Sequence, residues 1–82
     1  MNTQIKKFRT LTALVNGWKK APIIVVEMMD GSRWYVVVGD GFAYKTEDPI
    51  RSGVDLRKIK FKDFFIFPAG INSPKQFMDL IP

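Results

Sequence analysis

The pair Asp30-Gly31 constrains this chain more than any other feature of its sequence. It stands between two runs of apolar and β-branched residues, 22–29 and 33–38. Gly tolerates positive φ, and Asp-Gly between such runs marks a tight hairpin turn. Both runs are therefore expected to be antiparallel strands. In the first, Ile24, Val26 and Met28 share one face. Ile23, Val25 and Met29 share the other with Glu27. Successive side chains of a strand alternate, so both faces are largely apolar. Gly39-Asp40-Gly41 breaks the second strand, and 42–46 begins a third. Residues 47–55 (EDPIRSGVD) read as a polar loop. In 57–63, Ile59 and Phe61 alternate with Lys58, Lys60 and Lys62, which predicts a fourth strand. Residues 64–67 (FFIF) form a fifth, stopped by Pro68 and Gly70.

The two ends read differently. Ile5, Phe8, Leu11, Thr12 and Val15 recur at three- and four-residue steps, which predicts a helix over 3–16. Lys6, Lys7 and Arg9 lie off that face. Asn2 or Thr3 caps its start, and Asn16-Gly17 stops it. At the other end, Asn72-Ser73-Pro74 opens a short helix over 74–80, within a C-terminal extension over 68–82. The expected fold is mainly β: one domain over 1–82, with a helix, then a bent five-stranded antiparallel sheet or partial barrel over 22–67.

Composition removes much chemistry. The 82 residues contain no Cys and no His. That excludes disulfides, thiol nucleophiles, zinc-finger ligand sets and imidazole acid–base catalysis. No acid–base pair, phosphate-binding loop or metal site stands out, so no cofactor and no enzymatic activity are expected. Thirteen Lys and Arg against eight Asp and Glu leave a net charge of +5, which favours an acidic partner. The longest apolar run, 21–26, is too short to span a bilayer. No signal-peptide core precedes it, so a cytoplasmic location away from membranes is expected. A chain this short buries only about 60% of its unfolded surface, which makes oligomerisation a natural remedy.

The element order and two segments resemble the Sm-like (LSm/Hfq) family. "PIIVVEMMDGSRWYVVVGDGF" is similar to the first Sm motif, and "IKFKDFFIF" to the second. The resemblance spans roughly residues 5–68. It implies a homo-oligomeric ring of about five to seven subunits that binds single-stranded RNA as a chaperone or scaffold. In such a ring, residues 64–67 of one chain pair with 57–62 of the next. The resemblance also implies site residues. Asp40 takes the family's Asp position, and Phe42 the position that stacks on a base. Lys62 takes the basic position in a tight turn between the last two strands. Lys6, Lys7 and Arg9 form a basic rim beside the helix. Two departures stand out: Asp63 replaces the family's Gly or His, and Val36 or Val37 replaces a mid-strand Gly.

Each functional assignment has a plain counterpart. A Phe at a strand start is commonly core, and an alternating Lys row is commonly a solvated face. Tyr44 is a second stacking candidate. Trp34 and Tyr35 are adjacent and point to opposite faces, one to the core and the other to an interface or binding face. The alternative to RNA binding is a small protein-interaction module on the same fold.

Overall fold

The computed structural model describes residues 5–66 and residue 75. Five strands account for most of them: β1 (Ile5–Leu14), β2 (Lys20–Met28), β3 (Arg33–Val37), β4 (Phe42–Thr46) and β5 (Phe61–Ile66). They form one antiparallel sheet in the order β1-β2-β3-β4-β5. The protein is thus mainly β, as expected. Between residues 5 and 66 the one helical element is a 3-10 turn at Leu56–Lys58.

The hairpin at Asp30-Gly31 forms as its sequence dictates. Gly31 adopts φ +90°, and the Met28 amide donates to the Ser32 carbonyl at 2.8 Å. The Asp30 carboxylate accepts from both the amide and the hydroxyl of Ser32. Those bonds hold its pKa below the ordinary carboxylate value.

The helix expected over 3–16 is absent across its described part, where Ile5–Leu14 is β1. The cause is a bulge. Ile5 pairs with Met28 and Lys7 with Glu27, so the register slips between Ile5 and Lys7. That slip turns Ile5 to the same face as Phe8, and both pack on one core cluster. Two apolar residues three apart thereby share a face without any helix. Past the bulge the pattern is a strand's. Leu11 and Ala13 pack in the opposite cluster, while Thr10 and Thr12 supply β-branched backbone preference. A strand here also hydrogen-bonds β2 along its length, from Met28 back to Lys20.

Both faces of the sheet are apolar. One carries Ile24, Val26, Met28, Trp34, Val36 and Ala43. The other carries Ala13, Ile23, Val25 and Tyr35, closed by Ile50 and Ile59. Ile50 and Ile59 come from the strap, residues 47–60, which links β4 to β5. The strap crosses the second face to the outer edge of β1. There the Gly53 amide donates to the Thr12 carbonyl and the Leu14 amide to the Val54 carbonyl, each at 2.7 Å. That docking covers part of an edge otherwise open to pairing. The strap's ends are tied together: the Thr46 hydroxyl donates to the Lys60 carbonyl at 2.6 Å, and the Lys60 amide to Asp48 Oδ2 at 2.9 Å.

Three further expectations change. Residues 57–63 do not form a separate strand. Asp55 caps the 3-10 turn, Ile59 drops into the core, and 61–66 runs as the single strand β5. One strand replaces two because β4 has one free edge, and β5 pairs along all of it, from Phe42↔Ile66 to Thr46↔Phe61. Lys62 therefore lies within a strand, not in a tight turn. The loop 47–55 is not wholly polar in role, since Ile50 is 1% exposed. Trp34 and Tyr35 do face opposite ways, but both are buried, one in each cluster. The cap at Asn2 or Thr3 lies outside the described residues, as does the helix over 74–80 apart from residue 75.

Candidate nucleic-acid interface

The strap-bearing face also carries a run of aromatic rings. Period-two alternation brings Tyr35 of β3 beside Tyr44 of β4, with centroids 5.2 Å apart and stacked. Phe42 stacks on Tyr44 at 6.1 Å. Phe64 of β5 lies 6.4 Å from Phe42. Phe61 meets Tyr44 edge-on at 5.3 Å and Phe64 at 6.3 Å. Phe61 and Phe64 share this face because the β4–β5 register slips between Lys45 and Thr46. The run grades from buried to open. Tyr35 is 4% exposed, Phe42 and Tyr44 are half-buried, and Phe64 and Phe61 are 47% and 52% exposed.

A cleft of about 570 Å³ opens between this run and the 3-10 turn. Tyr35, Tyr44, Phe61, Leu56 and Arg57 line it, with Lys19 from the β1–β2 turn. The volume and mixed lining are those of a small-ligand site. Burial pushes the Tyr35 hydroxyl up to about 12 and raises that of Tyr44, to which Asp40 adds a smaller push. Both hydroxyls therefore stay protonated at neutral pH and act as hydrogen-bonding groups, not as bases. Arg57 forms a fork with Asp55, Nε to Oδ1 at 3.3 Å and Nη2 to Oδ2 at 3.1 Å. Hydrogen bonds from Arg57 hold the Asp55 carboxyl below its usual range. The guanidinium lies against Gly17, where a Cβ would collide with it and where φ is +89°. The positive φ favours glycine at that position, while the flexible end of Arg57 could shift.

The residues singled out by the resemblance do not gather in one place. Asp40 sits in the β3–β4 turn, lines the cleft, and accepts from the Gly41 amide at 2.7 Å. Phe42 is one ring further along the aromatic run. Lys62 lies near the opposite end of the β4–β5 ladder and pairs with Glu47 at 2.8 Å. Lys6 is exposed at the β1 bulge. Lys7 and Arg9 reach Glu27 at 3.7 and 3.0 Å, and Arg9 Nη2 also donates to the Ile50 carbonyl at 2.7 Å. With no helix there, the helix-side rim does not form. Arg9 instead ties β1 to β2 and to the strap.

Sequence reasoning missed Phe61, Phe64, Lys19 and Arg57 as members of this surface. For Tyr35 and Tyr44 a signal existed: antiparallel pairing of 33–37 with 42–46 sets them opposite each other. For Phe61 and Phe64 none did, because residues three apart share a strand face only across a bulge.

No helix among the described residues is long and apolar enough to cross a membrane. Comparison with protein-family models, curated proteins and solved structures finds no match to this chain.

Proposed function

We propose that this protein is a non-catalytic module that binds single-stranded RNA on its aromatic face. The observation that carries this reading is the continuous run Tyr35–Tyr44–Phe42–Phe64, flanked by Phe61 and opening from the cleft to the solvent. Exposed rings accept any base face, at about 1–3 kcal/mol per stacked base. A net charge of +5 supplies long-range attraction for a polyanion, and Lys19 adds a cation at the cleft, where Arg57 is already paired with Asp55. Anisotropy titrations with oligouridine, oligoadenosine and an RNA duplex test the reading. Both single strands should bind more tightly than the duplex, and affinity should fall steeply with salt. No binding of either single strand at low salt overturns it.

A second reading, a protein-interaction module, has its own observation. Phe61, Phe64 and Ile66 leave apolar surface on β5, whose outer edge is paired by no other described strand. Such an edge suits strand addition by another polypeptide, a further copy of this chain included. A ring of five to seven copies is the assembly that the Sm-like resemblance expects. Light scattering at low and high salt measures it: a salt-resistant oligomer favours this use of β5, and a monomer leaves the aromatic face to RNA.

A further inference from the structure

On the strap-bearing face, beside the β2–β3 turn, three cations contact one carboxylate and a fourth lines the same recess. Glu27 takes Arg9 at 3.0 Å, Lys7 at 3.7 Å and Arg33 at 4.0 Å. Arg51, from the strap, lines the same recess of about 210 Å³ together with Arg9, Arg33 and Glu27. Its side chain makes no hydrogen bond or ion pair among the described residues. The neighbouring carboxylate of Glu47 is turned to Lys62 at 2.8 Å, so it does not balance the group. Four cations against Glu27 leave three positive charges in excess. A second observation concerns Arg9. Its Nη2 is committed to Glu27 and to the Ile50 carbonyl, yet its buried Nε has no hydrogen-bond partner among the described residues. Buried donors are normally satisfied, so this one stands out.

We propose that this recess is an oxyanion subsite that takes one phosphate group, held by Arg9, Arg33 and Arg51. Guanidinium forks match the oxygens of a phosphate, and the recess is smaller than a site for a whole drug-sized ligand. Glu27 orients Arg9 and competes with the incoming anion, while Arg33 is oriented by the Gly31 and Glu47 carbonyls, to which its Nη1 donates at 3.3 and 3.0 Å. The three arginines come from β1, β3 and the strap, so only the folded chain assembles the subsite. The phosphate is either a diester of a bound single strand or the free ion. The first source rests on the RNA reading above, and the second does not.

The test is an NMR titration of the folded protein with inorganic phosphate, following the arginine Nε–H signals, with chloride as control. Saturable shifts at Arg9, Arg33 and Arg51 with phosphate and not with chloride are expected. Arg51→Ala should weaken phosphate binding roughly three- to tenfold while leaving the fold intact, because that side chain makes no other hydrogen bond or ion pair among the described residues. Glu27→Gln should tighten it, since the competing carboxylate is gone. With a single-stranded oligonucleotide, Arg51→Ala should lower the salt slope by about 0.7, the value of one lost phosphate contact. Phosphate bound here with no single strand bound leaves the subsite standing and removes the RNA reading. A single strand bound with an unchanged slope in Arg51→Ala, and no saturable phosphate shift, overturns the subsite and leaves the RNA reading. Equal shifts with chloride, or weaker phosphate binding in Glu27→Gln, also overturn it.

Discussion

β2 and β5 are both apolar strands, yet they have opposite fates. Ile23, Ile24, Val25 and Val26 of β2 are at most 1% exposed. Phe61, Phe64 and Ile66 of β5 are 47–63% exposed. Composition does not separate them. Position does: β2 has a strand on each side and the strap across one face, whereas β5 is the last of the described strands. The same kind of residue is core in the middle of the sheet and available surface at its edge. Exposed aromatic patches of this kind are characteristic of interaction sites.

Substitutions sharpen that contrast, and the largest effect belongs to β2. Ile24→Ala should cost about 2–5 kcal/mol in urea unfolding, through lost burial and a residual cavity. Ile50→Ala should cost somewhat less, about 2–4 kcal/mol, because the strap can settle partly onto the sheet. A negligible effect would detach the strap from the second core. Phe61→Ala and Phe64→Ala should each cost only about 1 kcal/mol of stability. Each should weaken single-strand binding by about 1–3 kcal/mol in the same anisotropy assay. A β5 variant that unfolds the chain while β2 variants do not would invert the comparison.

Two pH effects follow. The folded-state pKa of Tyr35 is raised from 10.0 to about 12. The folded state therefore keeps its proton where the unfolded chain loses it. Its contribution to stability is full below pH 10 and is lost as pH rises from 10 to about 12. Tyr35→Phe should flatten that part of the alkaline denaturation curve. The smallest effect is at Asp30, whose folded pKa lies below 3.8. Its contribution is present above pH 3.8 and lost as pH falls through the lowered value. Asp30→Asn should remove that acid dependence together with the contribution at neutral pH, so the difference between the two proteins should shrink as pH falls.

Much of the central sheet was legible before folding was considered. The Asp30-Gly31 turn and the alternation in 22–29, 33–38 and 42–46 correspond to β2, β3 and β4 within two residues at each end. The termini of the fold were not. Ile5 and Phe8 imitate helical spacing because a bulge resets the pleat between them. The candidate site was half legible. Phe42 and Tyr44 lie on the aromatic face, whereas Lys62 lies at the far end of the β4–β5 ladder, paired with Glu47.

The sequence by itself determined a β-rich chain without thiol or imidazole chemistry, its central hairpin, and its positive charge. Those properties depend on local periodicity, on turn residues and on which side chains are present. Tertiary packing settled which apolar strand is buried, where the strap inserts Ile50, and how Arg9, Arg33 and Arg51 meet around Glu27. The reason is physical. Bulges and strand order depend on pairing between segments far apart in the chain, so no local pattern specifies them.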